Sequence, residues 1–113
     1  MKYMLLICSD GPFNGTPDEL DPTDWVDEMT RRKVRAFGEQ LARAEDATTV
    51  RVRDGQVLLT DGPFVETKEQ IVGFDVIECA DLDEALEVAA KHPVARFGMV
   101  EVRPFWTPSP TLS

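Results

Sequence analysis

The sequence has few of the residues from which metal centres and disulfide frameworks are built: one histidine and two cysteines in 113 residues. Cys8 and Cys79 are far apart and form no C-x-x-C pair, a usage more typical of two buried thiols than of a disulfide or a metal site. A phosphate-binding loop, a G-x-G-x-x-G pattern and a G-x-S-x-G nucleophile motif are also absent from the sequence. We therefore predict neither a metal nor a cofactor.

Long apolar runs and an excess of basic residues are missing as well. No segment approaches the roughly 18–20 apolar residues that span a bilayer, and the N-terminus lacks the longer apolar region of a signal peptide. Twelve Lys and Arg against 21 Asp and Glu give a net charge of -9, which repels phosphate backbones and anionic membrane surfaces. The expectation is a cytoplasmic protein that binds neither nucleic acid nor membranes.

What remains is the composition of one folded domain. With 113 residues, 42% of them hydrophobic and 29% charged, the chain has room for one core and not for two domains. Residues 104–110 are rich in proline and cannot continue a central strand. We place the domain at residues 1–106 and predict a C-terminal tail at residues 107–113.

Apolar patterning and turn signals predict the elements of this domain. Asp21 and Pro22 mark the start of a first helix, and Asp81 with Glu84 forms a capping-box start for a second. Asp54-Gly55 is the strongest short hairpin signal in the chain. The expected strands are residues 2–8, 48–53, 56–60, 71–79 and 97–103; residues 10–17 form a loop, and the helices are residues 22–44 and 81–91.

The order strand, helix, hairpin, strand, helix, strand predicts an α+β fold, a ferredoxin-like sandwich. Two helices cover one face of such a sheet. Because residues 2–8 are apolar at almost every position, their strand is expected to be covered on both faces. A homodimer that packs sheet against sheet would supply the second cover.

Charged residues on the two last strands are the first candidates for chemistry. In one strand, Val72, Phe74 and Val76 share a face and Asp75 lies on the other. In the last strand, Val100 and Val102 share a face, and Glu101 and Arg103 lie on the other. If the valine-rich faces meet the helices, the charged residues point into the space between two subunits.

Such a space, with Phe97 in its wall, has the mixture typical of a small-molecule site. Asp75 and Glu101 are then candidate catalytic carboxylates, because desolvation raises a carboxyl pKa towards useful proton transfer. Arg103 would hold an anionic substrate. The alternative is that these charges pair with each other and fix the register of the interface.

Two further places have both a structural and a functional interpretation. Asp61-Gly62-Pro63-Phe64 suits a turn, whereas Asp61, Phe64 and the following Lys68 could also contact a ligand from a loop over a pocket mouth. His92 ends the second predicted helix, where it can cap the last carbonyls or serve as an acid or base.

The segment Thr60-Asp61-Gly62-Pro63-Phe64-Val65-Glu66-Thr67-Lys68-Glu69-Gln70, with Gly73-Phe74, Asp83-Glu84-Ala85-Leu86 and Val100-Glu101-Val102-Arg103-Pro104, closely resembles the DGPF branch of the YCII-related proteins. The resemblance covers about residues 47–106 and the opening residues 1–7. It implies a dimeric ferredoxin-like α/β barrel, a small cytoplasmic bacterial protein and an association with sigma-factor systems.

Some YCII-related proteins are thought to use a histidine and an aspartate that precedes a proline after the second helix, and a few act on lactones or chlorinated aromatics. This sequence differs, because His92 precedes Pro93 and the first predicted helix has no histidine. The pair therefore does not transfer to this chain.

Two hypotheses follow. In the first, the dimer binds a small anionic, aromatic or lactone-like molecule, or carries out cofactor-independent proton transfer on it. In the second, the protein is a noncatalytic interaction or sensory protein linked to a sigma-factor system. The sequence leaves open whether the protein is an enzyme.

Overall fold

The first strand, β1 (Lys2–Ser9), is one of two central strands of an antiparallel sheet in the computed structural model, which describes residues 1–63 and 70–108. Tyr3, Leu5 and Ile7 are buried on one face of β1, and Met4 and Leu6 are half-buried on the other. The expected cover is therefore complete on one face and partial on the second within a single protomer.

Two short helices follow β1. The expected loop ends at Thr16, whose side chain accepts a hydrogen bond from the Glu19 backbone while the Glu19 carboxylate accepts one from the Thr16 N–H. This capping box starts α1 (Pro17–Leu20), and α2 (Thr23–Arg31) comes next. The Asp21 carboxylate accepts a hydrogen bond from the Thr23 backbone N–H, so the predicted start of the longer helix is confirmed to within a residue.

The predicted length of that helix is wrong. It ends at Arg31, and residues that were expected to continue it form a strand, β2 (Arg35–Gln40). The helix is closed by a Schellman motif, in which the Val34 N–H donates to the Met29 carbonyl and the Lys33 N–H to that of Thr30. Lys33 adopts the left-handed conformation, with φ of 60°, at the position where glycine is usual. Without a glycine, the sequence carries no stop signal there.

The predicted hairpin is confirmed. β3 (Thr48–Arg53) pairs with β4 (Gln56–Asp61), and the two turn residues, Asp54 and Gly55, both have positive φ as a two-residue hairpin turn requires. The hairpin forms a two-stranded sheet of its own and does not join the sheet that contains β1.

The second half of the chain follows the predicted order. β5 (Gln70–Glu78) leads into α3 (Leu82–Ala90), which Asp81 caps by accepting a hydrogen bond from the Glu84 N–H. A 3₁₀ turn at Pro93–Arg96 delays the last strand, β6 (Met99–Pro104), by two residues relative to the predicted start at residue 97. The four-stranded sheet has the order β2-β5-β1-β6 and is compatible with a ferredoxin-like fold into which the β3–β4 hairpin is inserted.

The helices cover one face of the four-stranded sheet, which we call the helix face. Residues paired across antiparallel strands share a face. Leu5 is paired with Asp75 on one side and with Val102 on the other, so all three belong to the helix face. The core on this face also contains Trp25 and Met29 of α2.

We call the opposite face of the sheet the open face. The strand pairing on this face shows that the prediction about the charged residues is partly wrong. Met4 pairs with Val76 and with Arg103, and Leu6 pairs with Phe74 and with Glu101. The valines of β6 face the helices as expected, but Val76 does not. Asp75 therefore lies on the helix face, and Glu101 and Arg103 lie on the other side of the sheet.

The two cysteines are buried and form no disulfide with each other, as predicted. Cys79 belongs to the core on the helix face, and burial raises the pKa of its thiol. It therefore serves as an apolar core residue rather than as a nucleophile.

Candidate functional site

A cavity of about 1060 Å³ lies on the helix face, between the sheet and the segment that carries α1 and α2. This size is at the upper end of what small-molecule sites use, roughly 300–1,000 Å³. Sheet residues such as Ile7 and Gly38, the α2 residue Val26, and Leu20 of α1 line it. Three polar or charged residues at its wall are themselves almost completely buried: Ser9, Asp75 and His92.

Asp75 is held by a neighbouring arginine that the sequence analysis did not single out. The Arg35 Nε–H donates to Asp75 Oδ1 at 2.8 Å, and Arg35 Nη2 donates to the Gly38 carbonyl oxygen at 3.0 Å. Asp75 is only 6% exposed. Desolvation raises the pKa of its carboxyl group, and the charge and hydrogen bond of Arg35 act in the opposite direction. The result is a buried carboxylate beside a fixed cation.

Gly38 creates the space for this pair. It lies directly opposite Asp75 in the β2–β5 ladder. A Cβ atom at this position would collide with Asp75 Oδ1 and lie 2.5 Å from the Phe74 carbonyl oxygen. Only glycine is compatible with the observed position of the carboxylate.

His92 reaches the same cavity from the other layer. It is 5% exposed and precedes the 3₁₀ turn, where its Nδ1 accepts a hydrogen bond from the Val94 N–H at 3.1 Å. Its ring contacts the Trp25 ring edge to face, with centroids 4.7 Å apart. Burial lowers the pKa of His92 to about 4, so the ring is neutral at physiological pH. The prediction that His92 caps the last carbonyls of the helix is corrected, because its ring accepts a hydrogen bond as the N-cap of the following 3₁₀ turn.

Ser9 ends β1 at the cavity. Its hydroxyl donates to the Gly11 carbonyl oxygen and accepts from the Gly11 N–H, which folds the chain back after the strand. This local pairing occupies the hydroxyl group, so Ser9 is a wall of the cavity and not an activated nucleophile.

A comparison of the sequence with protein families identifies the family of this chain. A family model described as the YCII-related domain matches residues 1–107. The chain belongs to the YCII-related family. It is also 50% identical over 60 residues to an uncharacterized protein of Rhizobium meliloti (strain 1021). That match covers 51% of this chain and 48% of the relative, so the chain spans about half the length of the curated relative it matches.

Within the YCII-related framework, the sequence prediction named two residues that the structure brings to one cavity, Asp75 and His92. The others lie elsewhere. Glu101 and Arg103 form an ion pair of 2.6 Å on the open face, with both side chains largely exposed. Asp61 is exposed at the end of β4 and does not line the cavity.

Phe97 is half-buried away from the cavity, and the Arg96 guanidinium lies 5.2 Å from its ring centre. Phe64 and Lys68 fall outside the described residues, so their predicted ligand contacts remain predictions.

Arg35 and Gly38 are the site residues that sequence reasoning missed. Both fall within the segment that was assigned to the long first helix, where an arginine is an ordinary surface residue. A strand assignment would have allowed them to pair with β5, where the structure places them beside Asp75. Because the end of the helix was predicted wrongly, Arg35 and Gly38 were not recognised as site residues.

Two structural features were sought in the part of the chain that the structure describes. In residues 1–63 and 70–108, no group of three or more His, Cys, Asp or Glu side chains is arranged to hold a metal ion. Across those same ranges, no helix has the length and apolar character needed to cross a membrane.

Proposed function

We propose that this YCII-related protein, which we assign to the DGPF branch, binds a small aromatic or lactone-like molecule in the helix-face cavity and transfers a proton there without a cofactor. The observation that supports the proposal is the buried Asp75–Arg35 pair at the wall of a cavity that is otherwise largely apolar. Buried carboxylates with a raised pKa and a specific charge partner are concentrated at functional sites. The cavity lies within one protomer, so each subunit carries a whole site.

Asp75 is the proposed general base. A carboxylate that has lost hydration accepts a proton more readily, and Arg35 holds it in one orientation. The proton would leave a carbon next to a carbonyl group of the ligand, and the electron pair of the C–H bond would move towards the carbonyl oxygen. Where a C=C bond adjoins that carbon, the C=O bond re-forms, the C=C bond shifts next to it and its far carbon takes up the proton, which completes an isomerisation in which no atom is gained or lost.

Charge in the cavity argues against the anionic ligand that the sequence suggested. The charged lining residues are two arginines and four acids: Arg35, Arg43, Asp18, Asp21, Glu39 and Asp75. Arg103, which was expected to hold an anion, is on the opposite face of the sheet. An uncharged ligand is therefore favoured.

The test is a thermal-shift screen of lactones, phenols and aromatic esters, followed by deuterium exchange. Compounds that raise Tm in a saturable way are incubated with the protein in D₂O, and deuterium in the ligand is followed by NMR. Wild type is expected to exchange a proton next to the carbonyl. Asp75→Asn should bind but lose exchange, at least roughly a hundredfold.

Glu101→Gln is the matched control, because it makes the same carboxylate-to-amide change on the open face and should behave as wild type. Exchange that survives in Asp75→Asn, or that falls equally in Glu101→Gln, would contradict the role of Asp75.

We also propose that the protein is a cytoplasmic homodimer. The open face presents Met4, Leu6 and Phe74, each half-buried in one protomer, and the Phe37 side chain, 55% exposed, packs edge to face on Phe74. These apolar side chains form the surface that a second copy of the chain would cover. Light scattering at several concentrations tests this directly.

The second candidate function, a noncatalytic interaction or sensory protein linked to a sigma-factor system, is supported by the β3–β4 hairpin. Pairing places Val50, Val52, Val57 and Leu59 on one face of this hairpin, each more than half exposed. Apolar side chains in such a row mark an interaction surface. If wild type is a monomer and no compound raises its Tm, this second function is favoured and a protein partner becomes the target of the search.

A further inference from the structure

We infer that His92 presents its Nε2–H group as a fixed hydrogen-bond donor to a carbonyl oxygen of an uncharged ligand in the helix-face cavity, and that it does not act as a base. This inference rests on the proposed small-molecule function. It goes beyond that function by assigning a role to His92 and a chemical class to the ligand.

The tautomer follows from the backbone. A neutral imidazole has one nitrogen that donates and one that accepts. In His92 the acceptor is Nδ1, because the Val94 N–H donates to it at 3.1 Å within the 3₁₀ turn that begins at Pro93. A backbone N–H can only donate a hydrogen bond, so Nδ1 must be the nitrogen without a proton. The proton of the neutral ring therefore lies on Nε2.

The ring is fixed in its orientation by a second contact. Trp25 meets His92 edge to face at 4.7 Å, and Trp25 is itself held by a hydrogen bond of 2.9 Å from its Nε1–H to the Val88 carbonyl oxygen. Both aromatic residues are about 95% buried. The imidazole therefore cannot rotate to exchange its two nitrogens without breaking its backbone hydrogen bond and its contact with Trp25.

We infer that Nε2 is the ring atom that His92 turns towards the cavity. It has no hydrogen-bond partner among the described residues. Within the described ranges, no side-chain nitrogen or oxygen atom is both fully enclosed and unpaired, so Nε2 must be accessible from the cavity that His92 lines. A nearly buried donor that no protein group satisfies is stabilised by an acceptor on a ligand.

The protonation state supports the same role. With a pKa of about 4, the ring carries no charge at pH 7, and in this tautomer neither nitrogen has a free lone pair. The group can therefore donate a hydrogen bond to an oxygen on which negative charge develops, but it cannot remove a proton from the ligand.

Two features of the cavity indicate the class of ligand. The ligand must offer an oxygen atom that accepts a hydrogen bond from Nε2–H, and it must suit the charged residues that line the cavity. Carbonyl and carboxylate oxygens both accept hydrogen bonds. Four acidic residues against two arginines in the lining disfavour a free carboxylate, so esters, lactones and ketones remain.

The first test needs no ligand, because the chain contains one histidine. In protein labelled with ¹⁵N-histidine, long-range ¹H–¹⁵N correlation spectra report which nitrogen carries the proton. We expect a protonated Nε2 and an unprotonated Nδ1 at pH 7, with titration only as the pH approaches about 4. A protonated Nδ1, or titration near pH 6.5, would overturn the inference.

The second test uses a matched pair of probes: dihydrocoumarin, an aromatic lactone, and the hydroxy acid that its hydrolysis gives. The lactone is expected to raise Tm and to move the Nε2 resonance of His92, and the acid to do neither. His92→Asn is the variant of choice, because asparagine is a good N-cap whose Oδ1 can accept the hydrogen bond from Val94, while its shorter side chain withdraws the donor from the position of Nε2. Its affinity for the lactone should fall roughly tenfold.

The two proposals fail in different ways. Lactone binding that His92→Asn retains undiminished, or a preference for the acid, overturns the inference about His92 and leaves the proposed cavity function standing. The absence of saturable binding of either probe and of every compound in the screen to folded wild type overturns both.

Discussion

Gly38 lies directly opposite Asp75 in the β2–β5 ladder, and the hydrogen atom that glycine has in place of a side chain leaves the space that the Asp75 carboxylate occupies. The same glycine supplies the carbonyl oxygen that accepts a hydrogen bond from Arg35. One residue without a side chain thus positions both members of the buried ion pair.

Gly38→Ala should therefore destabilise the protein and displace Asp75. The new methyl group would collide with Oδ1 and with the neighbouring backbone, and overpacking of this kind costs about 1–3 kcal/mol. Urea denaturation measures the loss. Gly73→Ala is the control on the adjacent strand, because the closest atom to a Cβ at this position would be the Glu39 carbonyl oxygen, at 3.1 Å. Equal losses in the two variants would show that the Asp75 contact is unimportant.

Asp75→Asn should reduce the free energy of unfolding by about 1.5–3 kcal/mol, because the part-buried Arg35 guanidinium keeps its charge and loses its partner. Replacing Arg35 with Met in the same variant should restore part of the loss, since an apolar pair needs no compensation. A double-mutant cycle from four urea curves gives the coupling between the two residues. Additive losses would mean that the pair contributes nothing as a pair.

Acid should destabilise the wild type through His92. The folded-state pKa of about 4 lies below the ordinary value of 6.5, so the unfolded chain binds the proton more tightly. The stability contribution is full above pH 6.5 and is lost as the pH falls towards 4, by up to roughly 3 kcal/mol.

Asp75 works in the other direction, because its raised pKa favours the folded state at low pH. The measurement is therefore the difference in unfolding free energy between wild type and His92→Asn from pH 7 to pH 4. A difference that stays constant across this range would contradict the low pKa of His92.

If the protein is a homodimer, we expect the exposed apolar face of the β3–β4 hairpin to belong to the interface together with the open face. Val52→Asp places a charge among exposed apolar side chains and should weaken dimerisation at least roughly tenfold without unfolding the protein. Thr60→Asp adds the same charge on the other face of the hairpin and serves as its control. Light scattering across a dilution series reads out both. If the two variants dissociate alike, or neither does, the apolar face is not part of the interface.

Local signals in the sequence were sufficient for the hairpin and for α3. Asp54-Gly55 fixes a turn by itself, and Asp81 caps a helix within its own first turn. The end of α2 could not be predicted in this way, because Lys33 takes a left-handed conformation that tertiary packing of Met29 and Val34 stabilises.

The site was predictable to a similar degree. Asp75 and His92 were recognisable as a charge in an apolar strand and as the single histidine of the chain. Their common cavity was not, because valine and isoleucine are equally apolar and alternation alone does not say which face of β5 meets the helices. Ile77, fully buried, decides that question in the structure.

The irregular register between Arg35 and Phe37 links the two faces of the molecule. In an uninterrupted ladder, counting on from Arg35 would place Phe37 opposite Asp75 and turn Gly38 to the other side. Ala36 is the extra residue of a β-bulge. From Phe37 onwards, it reverses which residues of the strand face the helices and which face the open side. If Ala36 were instead paired with Val76, Phe37 would lie opposite Asp75, and its ring would leave the open face for the cavity side of the sheet. The wall of the cavity and the apolar surface of the open face therefore both depend on one bulge residue at this edge of the sheet.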